Sequence, residues 1–190
     1  MHTGCAILAA GASRRLGQPK QLVEIAGEPL VRRVAQLARE AGCEHVGVVI
    51  GCQGPAVTAA LSSVPCELLD NAEWPEGIAA SVRVAARWAS DRRFDALMLL
   101  VCDQLNLSAG HLSQLWSLWQ AAPETAVAST YASAVGVPTI FPRAYYGALL
   151  QLHGDQGAAR LLRAGPVTQV AWPEGEAELD TPEDLARLAH

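Results

Sequence analysis

The sequence predicts an α/β fold of three layers, a mostly parallel sheet with helices on both faces. Strand-like apolar runs alternate with amphipathic helical stretches along the whole chain, as expected when each strand is followed by a covering helix. The run Ala-Leu-Met-Leu-Leu-Val-Cys at 96–102 is almost continuously apolar, which suits a central parallel strand buried on both sides. With 190 residues and 51% hydrophobic content, one large core can form, so a single domain over 1–190 is expected.

The elements follow in order. An apolar strand over 5–10 runs into a loop at Gly11, and the stretch 29–41 reads as a helix with Leu30, Val34, Leu37 and Ala38 on one face, stopped by Gly42. Strands are expected at 45–50 and 66–69, then a helix over 78–89 whose apolar stripe includes Val82, Ala85, Ala86 and Trp88. After the central strand come a helix at 108–120, strands at 126–130 and 135–141, helices at 143–152 and 158–163, and a last strand at 167–172. Thr181, with Asp184 three residues on, resembles a capping box that opens a closing helix from Pro182.

The loop after the first strand carries the most chemistry. Leu8-Ala-Ala-Gly-Ala-Ser-Arg-Arg-Leu-Gly-Gln-Pro-Lys20 joins a glycine, where backbone N–H groups can approach an anion closely, to the cations Arg14, Arg15 and Lys20. That is the makeup of a triphosphate cradle. Its spacing fits neither the P-loop nor the dinucleotide fingerprint, since Gly11 and Gly17 are six apart and two residues separate Gly17 from Lys20. The plain alternative is that Arg14 and Arg15 open a solvated helix face. Asp103 ends the central strand, and open α/β sheets bind ligands outside the carboxyl ends of their strands. It could equally be a turn aspartate.

Composition excludes several classes. A formal charge of −5 argues against nucleic-acid binding, where a basic stripe is expected. The five cysteines, at 5, 43, 52, 66 and 102, form no Cys-x-x-Cys pair, and Cys5, Cys66 and Cys102, in apolar strand-like runs, read as small buried hydrophobes in a reduced, cytoplasmic protein. No run approaches the roughly 18 apolar residues that span a bilayer. Trp88, Trp116, Trp119 and Trp172 read as packing residues, while Trp74 is a candidate lid over a ligand; His45, His111 and His153 have no ligand spacing.

Ala9-Ala-Gly-x-Ser-x-Arg15-x-Gly-x-x-Lys20 resembles the signature loop of the molybdenum-cofactor nucleotidyltransferases, within the wider superfamily that joins nucleoside triphosphates to phosphorylated acceptors. Further similarity lies in Asn71-Ala-Glu-Trp-Pro-Glu-Gly77 through Ser81, Leu99-Leu-Val-Cys-Asp-Gln104, Gly136-Val-Pro-Thr-Ile-Phe141, Gly154-Asp-Gln-Gly-Ala158 and Leu179-Asp-Thr-Pro-Glu-Asp-Leu185. The resemblance implies a Rossmann-like nucleotidyltransferase fold. It implies Arg15, Lys20 and Asp103 as catalytic residues, with Leu8, Ala9, Ala10, Gly11, Arg15, Lys20, Gly77, Ser81 and Asp103 binding the nucleotide. Asp103 and Asp180 would hold Mg²⁺. Ala10 and Pro19 resemble the cytidylyl-transferring branch, so the implied reaction moves CMP from CTP to a molybdopterin-type acceptor, with a molybdenum hydroxylase as client.

Two positions depart from that pattern. Leu105 stands where the family usually has Pro after Asp-Gln, and Val137 stands where many relatives have His in Gly-His-Pro. Both border the implied acceptor site, as does Gly154-Asp155 unless that pair is only a turn. Three readings follow: a cytidylyltransferase acting on molybdopterin, a relative using GTP or another phosphorylated acceptor such as a sugar or polyol phosphate, and a non-catalytic protein that binds and delivers the finished cofactor.

Overall fold

The computed structural model describes residues 1–132, 134–163 and 165–188. Seven strands form one sheet: β1 (Thr3–Leu8), β4 (His45–Ile50), β5 (Glu67–Asp70), β6 (Ala96–Val101), β7 (Ala126–Tyr131), β8 (Ala134–Pro142) and β9 (Val167–Ala171). Their order across the sheet is β5-β4-β1-β6-β8-β7-β9. All pairings are parallel except those of β8, which runs against both β6 and β7. Only residues 132–133 separate β7 from β8, too few for a crossover, so the chain must turn back as a hairpin.

A small second sheet pairs β2 (Glu24–Ile25) with β3 (Glu28–Pro29). Its two-residue turn has Ala26 and Gly27 both at positive φ, 54° and 80°, the conformation of the tight turn that matches strand twist. The hairpin feeds α1 (Leu30–Glu40), whose buried Leu30, Val31, Val34, Ala35 and Ala38 form one stripe. The other helices are α2 (Gly54–Ala60), α3 (Ile78–Asp91), α4 (Ala109–Ala121), α5 (Tyr146–Leu149), α6 (Ala159–Leu162) and α7 (Pro182–Leu188).

The strand period of two divides the core between the two faces of the sheet. On one side Cys5, Ile7, Val46, Val48, Met98 and Leu100 pack with residues of α1 and α4; on the other Ala6, Val49, Leu97 and Leu99 pack with residues of α3 and α5. The three expected layers are therefore present. Four tryptophans belong to these cores: Trp88, Trp116, Trp119 and Trp172 are all buried.

Several boundaries differ from the sequence expectation. α2 was not legible, because Gly54-Pro55 reads as a turn and no side chain caps the helix. The helix expected over 143–152 is a 3-10 turn, Arg143–Tyr145, followed by a single α turn, and that expected over 158–163 is the one-turn α6. Helix α4 is capped as its sequence suggests, with the Ser108 hydroxyl accepting from the His111 amide at 3.2 Å. Thr181 and Asp184 form their reciprocal cap, the Asp184 carboxylate accepting from the Thr181 amide at 2.9 Å and the Thr181 hydroxyl accepting from the Asp184 amide at 3.3 Å.

On the α3 side of β1 there is no room for a side chain at Gly4. A Cβ there would lie 2.3 Å from the ring of Phe94, which is itself fully buried against Trp88. Gly4→Ala should therefore overpack this face and lower stability by about 1–3 kcal/mol, measured by urea unfolding. An unchanged midpoint would show that the Phe94 ring can move aside.

Candidate active site

The chain order makes a crevice before any side chain is considered. From β1 the chain moves outward to β4 and β5, then returns to the other side of β1 as β6. The loops leaving the carboxyl ends of β1 and β6 diverge there, at the topological switch point where such sheets bind ligands. A cleft of about 410 Å³ opens at this place, lined by Leu8 to Arg14, Lys20, Gln21, residues 74–78, Ser81, Val101 to Asp103, and Asp155.

The loop after β1 is held by contacts that occupy its carbonyls. Gln21, only 2% exposed, donates from Nε2 to the oxygens of Ala9 at 3.2 Å and Gly11 at 3.1 Å, and the Ala10 oxygen accepts from the Cys52 amide at 3.1 Å. Carbonyl dipoles that would repel a phosphate are thus engaged elsewhere. The Ser13 hydroxyl accepts from the Lys20 amide at 3.0 Å and closes the loop into a ring. Gly51 lets the loop sit down on the end of β4, for a Cβ there would lie 2.9 Å from the Ala10 oxygen and 2.8 Å from its Cβ.

At the floor, the Lys20 ammonium lies 2.5 Å from Asp103 Oδ2 and 3.5 Å from Asp180 Oδ1. Arg15 reaches Asp180 Oδ2 at 2.6 Å, with its own side chain 80% exposed. Burial pulls the Lys20 ammonium down, but the Asp103 and Asp180 carboxylates together outweigh it and hold the group above its ordinary value, so it stays charged. Asp180 comes from 77 residues away, carried by a short backbone ladder. Leu179 N donates to Asp103 O and Leu105 N to Ala177 O, both at 2.9 Å, around an antiparallel bridge between Gln104 and Glu178. The departure at Leu105 has a structural consequence, since a proline there could not donate the second of these bonds.

That ladder also introduces a third carboxylate. Glu178 lies beside Tyr131, and burial first, then the charge of Asp103, push its carboxyl above its ordinary value. The Tyr131 hydroxyl is pushed up to about 12, by burial and then by Glu178 and Asp103. Tyr131 accepts in turn from Gln104 Nε2 at 3.0 Å, while the same amide donates to Val137 O at 2.8 Å. The second departure from the sequence pattern, Val137, therefore meets this network through its backbone.

The remaining wall comes from the start of α3. Gly77, at φ 129°, precedes the helix, and Ser81 is fixed one turn in by a 3.0 Å hydrogen bond from the buried Asn71 amide. Trp74 lines this wall, half-buried. Arg83 donates to Glu73, to Glu76 and to the Leu152 carbonyl, and Glu76 also accepts from Gly154 N at 2.9 Å. These contacts, Arg83 foremost and Gly154 next, hold the Glu76 carboxyl down to about 2.

Of the residues singled out by sequence, Leu8, Ala9, Ala10, Gly11, Lys20, Gly77, Ser81 and Asp103 line one cleft. Asp180 joins them through Lys20, and Arg15 lies outside the lining, on the outer side of Asp180, while Arg14 lines the cleft. Gln21, Gly51 and Glu178 were not found by sequence reasoning, and Asn71 stood there only as the first residue of a similar segment, with no role. Gln21 follows Lys20 directly, yet only the fold reveals the carbonyls it holds.

Residues 5–170 match the model of the MobA-like NTP transferase domain, and the chain belongs to this nucleotidyltransferase family. It is 32% identical to the purine catabolism protein PucB of Bacillus subtilis over 96% of this chain and 94% of that one. It is 34% identical to a probable molybdenum cofactor guanylyltransferase of Synechococcus elongatus, over 61% of this chain and 57% of that one. The crystal structure of Rv0371c from Mycobacterium tuberculosis is similar with a TM-score of 0.82 and 31% identity, over 99% of this chain and 97% of that one. A manganese complex of Rv0371c is likewise similar, at a TM-score of 0.77.

The raised Glu178 gives a pH signature. A carboxyl whose value is higher when folded favours folding while protonated, below its ordinary value of 4.5, and that contribution is lost as pH rises through the folded value. In EDTA, Glu178→Gln should therefore raise the melting temperature at pH 8 and change it little near pH 4. A lower melting temperature at pH 8 would show that the Glu178 charge is stabilised where it sits.

Proposed function

We propose that this protein is a divalent-metal-dependent nucleotidyltransferase that transfers CMP from CTP to the terminal phosphate of a molybdopterin-type cofactor and releases pyrophosphate, with the whole activity in the single domain 1–190. The observation that carries this reading is the Lys20 ammonium set between Asp103 and Asp180 at the mouth of the loop 9–11. Nucleotidyl transfer brings two anions together and needs positioning and charge compensation rather than a covalent nucleophile. The cleft offers that combination.

In the reaction an oxygen of the acceptor phosphate forms a bond to the α-phosphorus of CTP, and the bond from that phosphorus to the α,β-bridging oxygen breaks, pyrophosphate leaving with the electron pair. Loop 9–11 holds the triphosphate, Lys20 compensates charge growing at the α-phosphate, and Arg15, which here pairs with Asp180 outside the cleft lining, would leave that carboxylate to compensate the β- and γ-phosphates. Lys suits the first task as a compact cation on a long stem. The Gly77–Ser81 segment would receive base and ribose.

Asp103 and Asp180 suit Mg²⁺. Both present hard oxygen donors to the point that Lys20 Nζ holds, so an ion would bind there as Lys20 turns to the α-phosphate, and Mg²⁺ is usually held by one or two carboxylates with phosphate and water oxygens completing the shell. Bound there, the ion would neutralise phosphate charge. The manganese complex of the similar Rv0371c supports the use of a divalent ion. No helix of the described residues is long and apolar enough to cross a membrane. The proposed enzyme would work in the cytoplasm with a molybdenum hydroxylase as client.

Similarity to the probable molybdenum cofactor guanylyltransferase of Synechococcus elongatus favours a second reading, in which GTP replaces CTP. Pyrophosphate release from CTP, GTP and ATP, each with Mg²⁺ and molybdopterin, tests both. CTP should give the fastest release, and Asp103→Ala should lower it at least about a hundredfold, comparable to loss of a charge-stabilising group, while leaving the melting temperature within a few degrees. Faster release from GTP would establish the second reading, and full activity in the variant would overturn the metal assignment.

A further inference from the structure

Two carboxylates line the wall at the start of α3, and they are used differently. Glu76 is consumed by structure, since its oxygens accept from Arg83 and from the Gly154 amide. Asp155 lines the same cleft, and among the described residues its carboxylate has no ion-pair partner. Its placement is nonetheless built.

The Gly154 carbonyl accepts from Ala79 N at 3.1 Å, in the first turn of α3, and Arg83 Nη1 donates to the Leu152 carbonyl at 2.9 Å. Gly77 completes the seat. At φ 129° and without a Cβ, it leaves the space into which residues 154 and 155 press, for a Cβ there would stand 2.5 Å from both the Gly154 oxygen and Asp155 Oδ1. Three hydrogen bonds and a special glycine therefore fix the segment after α5 so that Asp155 lines the cleft.

A carboxylate can face phosphate oxygens only with a metal ion between them, as proposed for Asp103 and Asp180, because like charges repel. Asp155, whose neighbour Glu76 is already tied to Arg83, instead meets a part of a ligand that carries N–H donors, and Trp74, Pro75 and Ile78, which line the same cleft, offer a largely apolar surface suited to a flat ring. We propose that Asp155 is a specificity-determining residue that accepts a hydrogen bond from the exocyclic amino group of a heterocycle bound in this cleft. The proposal rests on reading the cleft as the nucleotidyltransferase site. With CTP as the nucleotide, two sources carry that group, the cytosine and the pterin of the acceptor.

Calorimetric titration of the wild-type protein and of Asp155→Ala with two matched pairs tests this, in the presence of Mg²⁺. CTP and UTP differ by amino against oxo at one ring position; pterin and lumazine differ in the same way. The wild type should bind the amino member of one pair about tenfold more tightly, as expected for a hydrogen bond to a charged acceptor. Asp155→Ala should bring that ratio close to one without weakening the oxo member. A response in the first pair assigns Asp155 to the base, and one in the second assigns it to the acceptor.

Triphosphate binding with no amino preference in either pair overturns the proposal and leaves the nucleotidyltransferase reading intact. A preference that survives in Asp155→Ala also overturns it, as does equal weakening of CTP and UTP, which would mean a ribose contact or a collapsed wall. Failure of the wild type to bind any triphosphate would sink the cleft reading and the proposal with it.

Discussion

One ammonium shared by two carboxylates organises this molecule. Asp103 and Asp180, set close together without Lys20, would repel each other across a partly buried site. With Lys20 between them, the loop after β1, the end of β6 and the C-terminal segment are drawn to one point. The sheet topology makes that point available, because β1 and β6 are neighbours whose following loops diverge. The ladder between residues 103–105 and 177–179 then fixes the C-terminal segment in register, so that Asp180 arrives beside Asp103 rather than one residue out of place.

Small residues and buried amides do the positioning around this cluster. Gly51 lets the loop lie against β4, Gly77 lets the 154–155 segment lie against α3, and Gln21 and Asn71 each tie a lining element to a neighbour. Buried amides of this kind are costly unless paired, so paired ones specify a single arrangement. The cleft is thus divided by chemistry. Its floor is charged and held by ion pairs, and its α3 wall is largely apolar, with one carboxylate tied up and another left open.

The parts legible in the sequence were those whose signal is local. The strand at 96–102 and the helix from 78 declare themselves by composition and period, and the loop 8–20 with Asp103 declares itself by motif. Helix α2 was hidden by a Gly-Pro start, and the helix expected after Pro142 broke into single turns, because periodicity does not fix where short helices end. Long-range contacts left no local mark. Nothing in the sequence places Gln21 under the Ala9 and Gly11 carbonyls, brings Glu178 to Tyr131, or turns Arg15 outward to Asp180.

The central claim is that the cluster of Lys20, Asp103 and Asp180 is a site for a triphosphate together with a divalent ion. Titrating the purified protein with CTP in Mg²⁺ and again in EDTA, followed by calorimetry, addresses it directly. Binding that requires Mg²⁺ is the predicted result. Equal binding in EDTA would contradict it, showing that Lys20 and Arg15 hold the phosphates without help from the two carboxylates.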